Sequence, residues 1–238
     1  LMFTSRLEDA LAAADADPAN RAMIGGVIVD GTEERALVVR ARTYWPVVIL
    51  GCPLEDPPTP SVDADNEGAL HAVTRHVIEQ GHRRIGFIGG VPGYNVSRER
   101  QAGFLRALIE SGLAPTPGWT IEGDFTTESG RRVAAAILAC SSRPTAIVCA
   151  NDGMALGALQ AAEAAGVQVP QDLSIAGCDD LAAAAVVRPR LTTARVPREE
   201  IGRLAFARLH EMIRGHLPSS VHKTLLPVPL VVRESVRP

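Results

Sequence analysis

Two pairs of polar residues stand directly behind short apolar runs. Asn151 and Asp152 follow TAIVCA, and Asp179 and Asp180 follow SIAGC. In an open α/β sheet the C-terminal ends of the strands form the edge where small ligands bind. An amide placed there both donates and accepts, while a carboxylate accepts two hydroxyl hydrogen bonds or pairs with a cation. Each pair also has a structural use, because Asn or Asp at a strand-to-helix junction caps the helix that follows. Arg100 opens the segment RQAGF behind the run GFIGG. Its planar fork suits adjacent hydroxyls or a carboxylate, although a helix arginine such as Arg98 or Arg106 more commonly faces water. Phe125 lies among Asp124, Thr126 and Thr127 in a chain with only 5 Phe. Its ring could stack on the apolar face of a sugar or on a purine, or fill the core beneath the loop.

The intervening sequence supplies elements to hold these residues. Apolar residues at helical spacing mark helices over 8–16, 33–42, 66–80, 99–111, 129–140, 153–165 and 198–214. Gly112, Gly166 and Gly215 stand where three of them should stop. Short apolar runs over 25–31, 46–51, 84–88, 119–123, 145–150, 173–176 and 191–195 read as strands, and the Pro-rich stretch 53–62 as an irregular loop. Residues 224–232 form an edge or irregular strand, because Pro227 and Pro229 cannot donate to a ladder. Strand-helix alternation of this kind builds parallel sheets with right-handed crossovers. LMFTS, residues 1–5, reads as a strand already under way. In a sheet of order 2-1-3-4-5 the first strand lies centrally, so this reading expects upstream residues in the parent protein.

Composition narrows the function. Hydrophobic residues make up 46% of the 238, enough for a sizeable core, and aromatics only 4%, which suits helices on parallel strands. A net charge of -3 offers no electrostatic footprint for nucleic acid. The 4 Cys lack any C-x-x-C and are expected to be small buried residues in a reducing compartment. Neither a membrane span nor a signal peptide is visible, since Leu1-Met2-Phe3 leads into Arg6, Glu8 and Asp9. No metal-ligand spacing, G-x-G-x-x-G, Walker segment or nucleophile-base pair occurs, so no metal, no cofactor and no enzyme activity are expected. His76 and His82 are expected to stabilise a helix and its terminal turn.

Taken together, GHRRIGFIGG, RQAGF, GDFTTESG, CANDGMALGAL, VPQDLSIAGCDD, PRLTTARVP and LVVRES resemble, in order and over essentially the whole chain, the LacI/GalR family of bacterial transcriptional regulators. The resemblance is to the effector-binding part only. It implies two doubly wound parallel-sheet lobes joined by a three-strand hinge, like type I periplasmic binding proteins, with a small metabolite, often a sugar, held between them. The lobes would be residues 1–90 plus 196–218, and 91–195 plus 219–238. Carried over by position, the ligand contacts would be Arg100, Phe125, Asn151 and Asp179, with Asp65 reaching from the first lobe and Arg195 at the hinge. Asp152 would then cap the helix behind Asn151, and Asp180 the turn at 181–186. The resemblance further implies a cytoplasmic homodimer, with the 198–214 helix a candidate contact. Ligand binding would change the affinity for operator DNA, which an N-terminal helix-turn-helix not visible in this chain would contact. A periplasmic solute-binding protein for sugar uptake would share the fold, but GHRRI, the helix in VPREEIGRLAFARLHEMI and LVVRES are closer to the regulators.

Overall fold

The apolar runs become parallel strands in a computed structural model that describes residues 7–31, 34–54, 56, 58–140, 142–216 and 223–237. The described chain divides into two compact units and passes between them three times, after Ala64, Val196 and Leu226.

The first unit begins with α1 (Leu7–Ala16) and α2 (Pro18–Met23). Asp17 starts α2 by accepting the Ala19 N–H at 2.8 Å, with Pro18 in the first turn. Next come β1 (Val27–Asp30), α3 (Arg35–Ala41), β2 (Val47–Leu50) and β3 (Ser61–Ala64). Successive side chains of β2 point to opposite faces. Val47 and Ile49 pack with Leu7, Leu11, Val38 and Trp45, whereas Val48 packs with Val62, Ala205 and Leu209. Both faces are thus covered, as a parallel strand requires. The strand expected over residues 1–5 lies outside the described residues.

The second unit contains α4 (Asn66–Glu79), β4 (Ile85–Gly89), α5 (Asn95–Glu110), β5 (Thr120–Glu122) and α6 (Thr127–Leu138). It continues with β6 (Ala146–Cys149), α7 (Asp152–Ala164), β7 (Ser174–Ala176), α8 (Ala182–Val186) and β8 (Thr193–Ala194). The chain then returns to the first unit for α9 (Arg198–Ile213) and β9 (Thr224–Leu226), and closes the second with β10 (Leu230–Val231).

Among the described residues the first sheet has the order β1-β2-β3-β9 and the second β5-β4-β6-β7, each parallel throughout. Strands β8 and β10 pair antiparallel. This pairing moves two expected boundaries. The resemblance implies that β4 belongs to the first lobe with the rest of residues 1–90, but it pairs with β5 and β6, Ile88 lying opposite Cys149. Residues 65–90 therefore go with the second unit. Strand β9 lies beside β3, Val62 opposite Thr224, and goes with the first. Pro227 and Pro229 fall between β9 and β10, so the expected single strand becomes two in different sheets.

Helix α5 is positioned by Phe104, fully buried and stacked on Phe87 of β4 with ring centroids 4.6 Å apart. It also lies close on α4, where a Cβ at Gly103 would collide with the Glu67 carbonyl oxygen. Of the cysteines, Cys149 and Cys178 are buried, but Cys140 is exposed and Cys52 half-buried, a correction to the expectation that all four are core residues. No helix among the described residues is long and apolar enough to cross a membrane.

Candidate functional site

The strands of the second sheet run parallel, so their C-terminal ends share one edge. There β4 leads into Gly90, β5 into the loop of Phe125, β6 into Asn151 and β7 into Asp179. Arg100 is brought to this edge by α5 and is only 6% exposed. Its Nε donates to Asn66 Oδ1 at 3.0 Å, one terminal nitrogen to the Ala150 carbonyl at 2.6 Å, and the other to Asp179 Oδ1 at 3.0 Å. It is therefore not the solvated helix arginine that α5 could have carried. Burial opposes the charge, but Cys178, Asp179 and Asp152 around it outweigh that effect and raise its pKa.

Asn151, rather than Asp152, caps α7, a correction to the role expected of Asp152. Asn151 is the N-cap of α7, its Oδ1 accepting the Met154 N–H at 2.9 Å, and its Nδ2 donates to the Phe125 carbonyl at 3.0 Å. Asp152 instead accepts the Leu181 N–H at 2.8 Å and the Thr193 hydroxyl at 2.6 Å, tying α7 to the loop after β7 and to β8. Burial pushes its carboxyl up to about 6; the two hydrogen bonds work the other way, and the charges of Asp179 and Asp180 add to the rise. Asp180 does not cap α8, whose N-cap is Leu181 with no side-chain bond. It accepts from Arg195 Nε and from Arg233, each at 2.6 Å, and these partners outweigh burial to hold its pKa below the ordinary value.

Phe125 neither enters the core nor stands free. Its half-buried ring lies against Gly90, where any Cβ would collide with the ring and with the Ser97 hydroxyl. Phe125, Asp179 and Asp180 have φ of 69°, 127° and 53°, and they are the non-glycine residues with positive φ among those described. Such conformations cost about 1–3 kcal/mol each and gather at binding and catalytic sites. All three lie in loops at this one edge.

Asp65 caps α4 by accepting the Gly68 N–H at 2.9 Å, and a side chain at Gly68 would collide with its carboxylate. It opens the second unit, whereas the resemblance had placed it in the first lobe. Arg195 is bound to Asp180, its side chain 59% exposed. The structure thus joins Arg100 to Asp179 directly, and Asn151 to Phe125. It links the two pairs through Ala150, and sets Asp65 beside Arg100's partner Asn66. Sequence reasoning did not find Asn66, Thr193 or Arg233. Asn66 and Thr193 are buried polar residues, but their partners lie 34 and 41 positions away, so no local pattern identifies them. His82 holds more than a turn. Its Nδ1 meets the Thr145 hydroxyl at 2.9 Å, and its Nε2 the Ser174 hydroxyl at 2.9 Å and the Arg237 carbonyl at 3.1 Å. The His76 Nε2 is buried without a partner, so the turn-stabilising bond expected there is not made by that atom. No group of three or more His, Cys, Asp or Glu among the described residues could hold a metal ion.

Comparison with known proteins bears on the family and the fold. The periplasmic binding protein-like domain matches residues 74–236. The HTH-type transcriptional repressor PurR of Pectobacterium carotovorum is 42% identical over 169 residues, covering 69% of this chain and 49% of the repressor. The ribose operon repressor of Haemophilus influenzae is 39% identical over 167 residues, covering 70% of this chain and 50% of that protein. The chain therefore spans about half the length of the curated relatives it matches. Among solved structures, a LacI-family regulatory protein from Chloroflexus aggregans superposes with a TM-score of 0.87 at 28% identity, covering 98% of this chain and 84% of that one. The relatives are named as transcriptional repressors rather than enzymes, and the chain belongs to the effector-binding domains of the LacI/GalR family.

Proposed function

We propose that this chain is the effector-sensing part of a cytoplasmic, homodimeric transcriptional regulator, and that its effector is a small sugar bound at the C-terminal edge of the second sheet. One observation carries the reading: Arg100, Phe125, Asn151 and Asp179 meet at that edge, where the positive-φ residues also gather. A carboxylate offers about four acceptor positions and a guanidinium five donors. The Arg100–Asp179 pair can therefore keep its mutual bond and still receive vicinal hydroxyls, while the Phe125 ring offers an apolar face to a pyranose or furanose. The name of the ribose operon repressor supports a sugar. In the parent regulator a helix-turn-helix, as in the HTH-type relatives, would contact operator DNA. The effector then controls DNA affinity by binding one conformation more tightly than another.

A thermal-shift screen of neutral sugars and of purine bases tests this, because a ligand that binds only the folded state raises its stability. The expected result is a saturable rise in Tm with a sugar in the wild-type chain and none in Asp179→Asn. A rise with purines alone would overturn the sugar assignment, and an undiminished rise in Asp179→Asn would overturn the site.

A further inference from the structure

Asp179 and Asp180 hold the loop after β7 in a conformation that their residue type does not favour. Their φ of 127° and 53° lie in the region that glycine adopts freely, and other residues keep such angles only where the surroundings over-determine them. Two backbone donors bracket the loop, the Asp179 N–H bonding the Ala194 carbonyl at 2.8 Å and the Leu181 N–H bonding Asp152 Oδ2 at 2.8 Å. Between them the Asp180 N–H reaches the Thr193 hydroxyl only at 3.4 Å. The middle of the loop therefore depends on the Asp180 side chain.

That side chain has two cationic partners of unequal weight. Arg195 is mostly exposed, and a solvated pair of this kind contributes little. Arg233 is shielded, its side chain 13% exposed against 10% for Asp180. One terminal nitrogen donates to Asp180 Oδ1 at 2.6 Å and the other to the Leu191 carbonyl at 2.8 Å. The root of Arg233 is fixed as well. Its N–H donates to the Thr192 hydroxyl at 2.9 Å, Val231 pairs with Thr193, and the Ser235 hydroxyl donates to the Ile175 carbonyl of β7 at 2.5 Å. These bonds already anchor the segment after β10, so its guanidinium is not needed to hold that segment and acts on the loop instead.

We propose that Arg233 is a positioning residue for the effector site: by bracing Asp180 it fixes the adjoining Asp179 carboxylate against Arg100, without touching the ligand itself. The proposal rests on the reading of Asp179 as an effector contact.

Amide hydrogen exchange of the ¹⁵N-labelled chain, which needs no effector, tests the bracing. Arg233→Met removes the donors, Asp180→Ala leaves Arg233 and its Leu191 bond in place, and Asp180→Asn keeps an oxygen for Arg233. In Arg233→Met and Asp180→Ala the Asp179 and Leu181 amides are expected to exchange about tenfold faster or more, beyond any change at Glu234. The Glu234 N–H donates to the Arg190 carbonyl and reports on the C-terminal segment. Asp180→Asn should stay within about threefold of wild type, and so should the two loop amides in His82→Ala, which releases the Arg237 end of the same segment. The panel of neutral sugars and purine bases is then titrated into Arg233→Met, where a compound that raises the Tm of wild type should bind about tenfold more weakly. Loop amides that loosen no more than Glu234 in Arg233→Met and Asp180→Ala, exchange in Asp180→Asn as fast as in Asp180→Ala, or undiminished ligand affinity in Arg233→Met would each overturn the positioning role. A ligand response that survives Asp179→Asn would instead overturn the effector reading, whatever the amides do.

Discussion

Asp152 is the residue whose charge is most at odds with its surroundings. It is fully buried, and its carboxyl is pushed up to about 6 from an ordinary 3.8. A carboxyl with a raised pKa keeps its proton in the folded chain at pH values where the unfolded chain has released it. Its contribution to stability is therefore fully present below about pH 4 and lost as the pH rises through about 6, a loss of about 3 kcal/mol. Asp152→Asn keeps an oxygen for the Leu181 N–H and an amide that can donate to the Thr193 hydroxyl. The expected outcome is that urea-unfolding free energies of wild type and Asp152→Asn diverge between pH 4 and 6, the variant gaining relative to wild type as the pH rises; parallel curves would contradict it. Arg100 is a different case. Its ion pair with Asp179 has side chains only 7% and 16% exposed. Arg100→Ala strands the buried acceptors of Asn66, Ala150 and Asp179, and is expected to cost about 3–5 kcal/mol in chemical denaturation. Asp179→Asn still accepts from Arg100 and is the cleaner probe of binding.

At the scale of elements, two junctions hold the second sheet in register with its helices. Asn151 caps α7 and also holds the Phe125 loop through its amide. Asn151→Ala should cost about 1 kcal/mol of stability, as for other caps, and should also weaken effector binding by releasing that loop; a stability loss with unchanged binding would confine Asn151 to capping. At the opposite edge His82 ties the starts of β6 and β7 to the C-terminal segment. Burial holds its pKa below the ordinary 6.5, against the pull of the Arg237 carbonyl. The folded chain thus prefers the neutral ring, and the stability His82 contributes is present above pH 6.5 and lost as the pH falls through the folded pKa. His82→Ala should destabilise by about 1–3 kcal/mol at pH 7.5 and by less at pH 5, as measured by urea unfolding.

For the molecule as a whole, the proposed homodimer predicts a sedimentation mass twice that of the chain; a monomer at micromolar concentration would contradict it. Strands and helix ends could be read from the sequence because their signals are local. Gly112, Gly166 and Gly215 adopt φ of 68°, 67° and 70° at the helix stops assigned to them. Sheet membership could not be read this way. Strand β3 begins inside the Pro-rich stretch expected to be an irregular loop, a correction to that expectation, and nothing in the apolar run of β4 says which neighbour it will pair with. The division between Ala64 and Asp65 thus became visible only from the pairing of β4 with β6. The site divides in the same manner. Asn151 and Asp179 could be placed because each follows a strand, and Arg100, inside α5, because it stands in the recognisable segment RQAGF. Asn66 and Arg233 could not, since their importance comes from Arg100 and Asp180, which lie far along the chain. That Asn151 rather than Asp152 caps α7 had no sequence signal, because both side chains cap helices equally well. Burial decided it by placing Asp152 within reach of Leu181 and Thr193.

The central claim is that a ligand is held by the Arg100–Asp179 pair at the sheet edge. Asp179 and Asp180 are adjacent and chemically identical, but Asp180 is engaged by Arg195 and Arg233. Calorimetric titration of Asp179→Asn and Asp180→Asn with the sugar found by thermal shift separates them. The account predicts that Asp179→Asn loses about ten- to hundredfold in affinity, as for a charged hydrogen-bond partner, while Asp180→Asn stays within about threefold of wild type. Equal losses, or wild-type affinity in Asp179→Asn, would contradict it.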